Sequence, residues 1–140
     1  MPVRNATAEW TGELPGGSGT MAFGGFEGQY SFGSRFEEGP GTNPEELLGA
    51  AQAGCFSMFL AGALGKAGHS PERVATNARV HIDKVDDGFK ITRVELDSDA
   101  TVPGIADDEF QSIAEESKRN CPVSQALTGI AMSLNAKLSG

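Results

Sequence analysis

The chain has 140 residues, 39% of them hydrophobic, which fits a single domain over residues 1–140 that can bury its core without disulfide staples or a structural metal. A formal net charge of −8, with the eleven Lys and Arg scattered, argues against nucleic-acid and membrane partners, because such a surface repels phosphates and anionic headgroups. The opening Met1-Pro2-Val3-Arg4 has no apolar signal region and no later segment reads as a membrane span, so the expectation is a cytoplasmic protein whose thiols stay reduced.

Residues 1 to 40 are rich in glycine and aromatics. Trp10, Phe23, Phe26, Tyr30, Phe32 and Phe36 alternate with turn formers such as Pro15-Gly16-Gly17-Ser18-Gly19, which predicts a short-stranded antiparallel meander. Neither glycine cluster leads into a Lys-Ser/Thr pair or a helical pattern, so both read as turns and not as phosphate cradles.

A helix is predicted from Pro44 to about Lys66. Asn43 is its N-cap, Pro44 its first residue, Glu45 and Glu46 lie beside the positive end of the dipole, and Gly65 and Gly68 mark the stop. From Leu47 through Leu64 nearly every side of this helix is apolar or small, so it should be surrounded by protein, more than a monomer of this size supplies.

Two strands follow, near Val74 to Val85 and Phe89 to Thr101, joined at Asp86-Asp87-Gly88 and burying Val80, Ile82, Ile91, Val94 and Leu96. Ala106 to about Arg119 forms an amphipathic helix with Phe110, Ile113 and Ala114 inward. A second helical start lies at Cys121-Pro122, and Ile130 to Leu138 closes the chain as an alternating strand. The order of elements indicates an α+β fold.

Two cysteines and a few charged residues are the candidates for chemistry. Cys55 sits inside an apolar helix, where it reads either as a small packing residue or as a nucleophile that needs a cation brought to it. Cys121, directly before Pro122 at a helix start, is either an N-cap or a thiol whose ionisation the helix favours; from its local setting it is the easier thiolate of the two. Arg35 alternates with Phe32, Tyr30 and Phe36 and reads either as a rim residue over the aromatics or as a partner for a buried anion. Glu46 occupies the third position of a capping box, which leaves Glu45 free for another role. His69 and His81 match no zinc spacing.

The stretches Tyr30-Ser31-Phe32-Gly33-Ser34-Arg35-Phe36, Gly41-Thr42-Asn43-Pro44-Glu45-Glu46-Leu47-Leu48, Ala53-Gly54-Cys55-Phe56-Ser57-Met58 and Asn120-Cys121-Pro122-Val123-Ser124 resemble, in order and spacing, the OsmC (osmotically inducible protein C) branch of the OsmC/Ohr hydroperoxide-resistance family. The resemblance runs over nearly the whole chain. It implies antiparallel strands around a long buried central helix, an intertwined homodimer, and a thiol peroxidase that reduces organic hydroperoxides without a bound cofactor. In that pattern Cys55 matches the peroxidatic cysteine and Cys121 the resolving one. Arg35 and Glu45 match the pair that activates the thiolate and orients the peroxide. The reductant implied is an external dithiol, lipoylated proteins or a similar small dithiol.

The assignment of first attack to Cys55 is energetically feasible. Lowering a thiol pKa from about 8.5 to about 6 needs roughly 3.4 kcal/mol, and an arginine about 4 Å away at an effective dielectric near 20 offers up to about 4 kcal/mol. On a continuous helix Glu45 and Cys55 are separated by about 15 Å of rise, which predicts that Glu45 serves the Cys55 of a partner across a two-fold axis. A redox-sensing or small-molecule-binding dimer without turnover is the competing expectation; it needs both cysteines but not Arg35 and Glu45.

Overall fold

The computed structural model describes residues 1–140, and the chain groups into two units, Met1–Leu47 and Leu48–Gly140, of mixed α+β structure. In the first unit β1 (Ala6–Thr11), β2 (Ser18–Phe23) and β3 (Phe26–Tyr30) form the expected antiparallel meander. Gly24 and Gly25 both take positive φ, the backbone that a two-residue hairpin turn demands, and so pair Phe23 with Phe26. Trp10 and Tyr30 close over Gly19, where a Cβ would lie 2.5 Å from the Tyr30 ring.

Residues 32–36 depart from the alternating pattern read in the sequence. They form a short helix α1 (Phe32–Phe36), because Ser31 and Ser34 make a reciprocal capping box: the Ser34 N–H donates to Ser31 Oγ at 3.1 Å and the Ser31 N–H to Ser34 Oγ at 2.8 Å. Phe32 and Phe36, four residues apart on a helix, then share a face, with ring centroids 5.1 Å apart.

Helix α2 (Pro44–Lys66) begins in the first unit and continues in the second. Asn43 Oδ1 accepts the Glu46 N–H at 2.8 Å, the expected N-cap. At the far end Gly68 takes φ +90 while the N–H groups of Gly68 and His69 return to the carbonyls of Gly65 and Leu64, a Schellman ending. With 23 residues and a mean hydropathy of 1.6 over its most apolar 18-residue stretch, α2 is long and apolar enough to cross a membrane, which corrects the expectation that no segment reaches that length. It is nevertheless a core helix, since Gln52, Phe56, Leu60 and Leu64 are fully buried in the second unit. The opposite face, with Ala50, Gly54 and Met58, is exposed in the single chain.

In the second unit β4 (Arg73–Val85) and β5 (Gly88–Thr101) pair antiparallel through the predicted hairpin, and β6 (Ala131–Ser139) joins β5. A register shift at His81/Ile82 leaves Thr92 without an opposite number, and this bulge brings Ile91 and Val94, three residues apart, to the same face. The β5–β6 pair is parallel, unlike the all-antiparallel arrangement expected; the segment between them, α3 (Asp107–Asn120) and α4 (Pro122–Ala126), is the crossover that parallel pairing requires. Phe56, Leu60, Leu64, Val94, Leu96 and Phe110 form the centre of the core, at 0–1% exposure. Truncating one of these leucines to alanine should cost about 2–5 kcal/mol. The core holds α2 on the sheet and thereby fixes where Gln52 and Cys55 stand.

Candidate active site

The first unit assembles one charged pair. The capping box of α1 turns Arg35 toward the start of α2, where its Nη2 donates to Glu45 Oε1 at 2.7 Å and its Nε to Oε1 and Oε2 at 3.1 and 3.3 Å. Ser34 Oγ donates to the Thr42 carbonyl and Asn43 Nδ2 to the Ser34 carbonyl, so the two helix starts are tied together around the pair. The Glu45 side chain is 7% exposed and that of Arg35 36%, and the guanidinium stacks 5.3 Å from the Phe36 centroid. Glu46 accepts from Thr42 Oγ1 at 3.0 Å and stays with the cap, leaving Glu45 to Arg35. A carboxylate so buried requires such a partner. Beside the guanidinium opens a cleft of about 230 Å³ lined by Trp10, Leu14, Tyr30, Phe32 and Phe36. The guanidinium edge and the aromatic wall suit an apolar molecule with one polar end.

The second unit assembles the two thiols. Both cysteines are free; Cys55 is partly exposed and Cys121 fully buried. Burial pushes the Cys55 thiol above its ordinary value, the backbone N–H of Val123 opposes this by donating to the sulfur, and the neighbouring Cys121 thiol raises it further. No cationic side chain is among these causes. The two thiols are neighbours, close enough for Cys121 to bear on the ionisation of Cys55.

Cys121 caps α4, as the sequence predicts, and its sulfur accepts the Ser124 N–H at 3.4 Å. With no exposure at all, it is the less accessible thiol of the two.

Two residues that the sequence reading passed over complete this site. Gln52 is fully buried, one turn before Cys55 on α2, and its Nε2 donates to Ser124 Oγ at 2.7 Å and approaches Cys121 Sγ at 3.8 Å. Its Oε1 is buried without a hydrogen-bond partner. That orphan costs about 1–3 kcal/mol relative to a satisfied carbonyl. Ser124 Oγ lies 3.0 Å from Cys121 Sγ. A long polar side chain in a run, 47–64, of otherwise apolar or small residues was the signal available for Gln52, and the Cys-x-x-Ser cap spacing was the signal for Ser124. The histidines stand apart from the thiols, His69 beside Glu109 and His81 beside Glu95.

This arrangement has relatives. The sequence profile of the family described as "OsmC-like protein" matches residues 37–135. The chain is 47% identical over 127 residues to "Peroxiredoxin OsmC" of Escherichia coli K12, covering 89% of each protein. It is 37% identical over 93 residues to "Organic hydroperoxide resistance protein" of Xanthomonas axonopodis pv. citri, covering 65% of this chain and 63% of the relative. The crystal structure of an OsmC-like protein from Mycoplasma pneumoniae superposes with a TM-score of 0.78 over 99% of both chains; at 16% identity this likeness speaks for the fold alone.

Proposed function

The chain belongs to the OsmC-like protein family, and from that premise we propose that it is a cysteine-based peroxidase that reduces organic hydroperoxides to alcohols. The observation that carries this reading is the pairing of a partly exposed thiol with a fully buried neighbouring one. Cys55 is the sulfur a peroxide can reach. Its thiolate attacks the distal peroxide oxygen, the O–O bond breaks, the alkoxide takes a proton and leaves as alcohol, and Cys55 becomes a sulfenic acid. Cys121 then displaces hydroxide from that sulfur to form the Cys55–Cys121 disulfide, which an external dithiol reopens by exchange. A lipoyl-type dithiol is the reductant proposed.

The cation that Cys55 needs is the Arg35 guanidinium held by Glu45. Helix α2 is unbroken from Pro44 to Lys66, so ten residues, about 15 Å of rise, separate Glu45 from Cys55 along it. This spacing and the exposed Ala50, Gly54 and Met58 face support a homodimer in which the ion pair of one subunit serves the thiol of the other. Steady-state reduction of cumene hydroperoxide with dihydrolipoamide tests the reading. Multiple turnovers are expected. A single stoichiometric oxidation to the disulfide, with no turnover under any dithiol, would instead mark a redox sensor.

A further inference from the structure

In this cycle Cys121 carries negative charge twice, as the nucleophile that closes the disulfide and as the leaving group when the disulfide is opened, yet it has no contact with water. Three donors replace the solvent. Ser124 Oγ stands 3.0 Å from the sulfur, the Ser124 N–H donates to it at 3.4 Å, and Gln52 Nε2 approaches at 3.8 Å. Gln52 also decides what Ser124 does. A serine hydroxyl has one proton and two acceptor sites. Gln52 Nε2 fills an acceptor site at 2.7 Å, which leaves the proton to point at sulfur, and Cys121 at 3.0 Å is nearer than Met132 at 3.5 Å. The unpartnered Oε1 bears on the same point. A residue present only for packing would be apolar here, whereas this amide leaves its oxygen unsatisfied and turns its N–H groups toward Ser124 and the sulfurs.

We propose that Gln52 and Ser124 are positioning residues that form a thiolate cradle for Cys121, and that the cradle sets the direction in which the disulfide is opened. The proposal rests on the peroxidase reading above. In the closing step the Cys121 electron pair makes the S–S bond, the S–O bond of the Cys55 sulfenic acid breaks, and hydroxide takes a proton and departs as water. In the opening step the thiolate of the external dithiol attacks Cys55, the exposed sulfur. The S–S electrons pass to Cys121, which leaves as a thiolate into the three donors. The second thiol of the reductant then displaces Cys55 and closes the oxidised dithiol.

The test uses the full chain oxidised with diamide to the Cys55–Cys121 disulfide, so that no peroxide turnover is needed. Opening by dithiothreitol is followed by stopped flow, and the mixed disulfide made with glutathione is located by peptide mass spectrometry. Ser124→Ala and Gln52→Met should each slow opening roughly tenfold, the effect of one lost hydrogen bond to a charged group. Ser124→Thr, which keeps the hydroxyl, should restore most of the rate. Glutathione should be found on Cys55. Opening of Ser124→Ala at the wild-type rate, or glutathione on Cys121, would overturn the cradle. Should Ser124→Ala or Gln52→Met fail to fold, Gln52→Glu keeps the shape but removes the N–H donors, and an unslowed rate there overturns the proposal equally. A wild-type chain that shows these effects but never turns over hydroperoxide would sink the peroxidase reading and leave the cradle standing.

Discussion

Arg35 and Glu45 meet across ten residues of sequence, brought together by caps and short hydrogen bonds around two helix starts. Gln52 and Ser124, which surround the buried thiol, meet across 72 residues and only because a sheet, a crossover and a core hold α2 and α4 side by side. The first pair is charged and has its neutralising partner within reach. The second site is neutral, dry and held by packing. A carboxylate cannot be buried before its partner arrives without a large cost, so a local, self-contained network suits the ion pair. Neutral thiols carry no such cost and can be left to the global fold, whose burial of Cys55 also favours its protonated form until a cation is supplied.

The sharpest way to break this comparison is to remove the thiols one at a time. Cys55→Ser should abolish peroxide reduction entirely, while Cys121→Ser should allow one stoichiometric oxidation and stop at sulfenic acid, read by intact-mass spectrometry. Normal turnover of Cys121→Ser, or initial oxidation of Cys55→Ser, would reverse the roles. A second experiment joins the two regions across subunits. Glu45→Ala and Cys55→Ser, each inactive alone, are denatured, mixed and refolded; half the dimers are then mixed, each with one intact site, so about a quarter of wild-type activity should return. No recovery in verified heterodimers would place Glu45 within its own subunit's chemistry or outside the chemistry altogether.

Arg35→Ala should slow the first oxidation on the order of 100-fold, from the loss of most of a Coulomb term of about 3–4 kcal/mol. Because Glu45 is then left buried without its partner, the variant should also lose about 1–3 kcal/mol of stability, less than the roughly 3–5 kcal/mol of a fully buried pair because Arg35 is partly exposed. The pH profile separates the two effects. Burial holds Cys55 above its ordinary value of 9.0, so in Arg35→Ala the oxidation rate should keep climbing as pH passes 9, while the wild-type rate levels off earlier. The stability sign follows from the same shift. A folded thiol that binds its proton more tightly than the unfolded one contributes stability that is complete below the unfolded value and is lost as pH rises through the folded one. In Arg35→Ala, where no cation offsets burial, thermal melts should therefore fall above pH 9, and less steeply when Cys55 is also replaced by serine.

How far the sequence could be read follows the same division. Glu45 was separable from Glu46 because the sequence assigns Glu46 to a capping box; in the structure the Glu46 carboxylate accepts from Thr42 Oγ1 and not from the cap's N–H, and Glu45 pairs with Arg35. Arg35 was misplaced on an alternating segment, although Ser31 and Ser34 already had the spacing of a reciprocal cap. The parallel β5–β6 pairing was within reach of the rule that parallel strands need a long crossover, since two helices lie between them; alternation along β6 alone is the same for either direction. The proximity of Cys55 and Cys121 could not be read from any local pattern, and the polar residue at position 52 marked an exception in the helix without saying what Gln52 would face. Both depend on which face of α2 turns to the core, and a helix that is apolar on nearly all sides does not specify that face.

The smallest expected effect probes whether the ion-pair region is as local as its hydrogen bonds suggest. Ser31→Ala removes the acceptor of the Ser34 N–H and unmakes half of the capping box, at a cost of about 1 kcal/mol. Ser34 keeps its bond to the Thr42 carbonyl and Asn43 keeps its bond to Ser34, so the start of α2 should hold while α1 frays. Arg35 is then less often in its bidentate position on Glu45. The first oxidation should slow by roughly fivefold, the kinetic equivalent of that 1 kcal/mol if the loosened arginine is what activates Cys55. Opening of the Cys55–Cys121 disulfide by dithiothreitol, which depends on the second unit, should be unchanged. If Ser31→Ala slowed both steps alike, the two regions would be one cooperative structure, and the contrast between a locally built ion pair and a globally built thiol site would not survive.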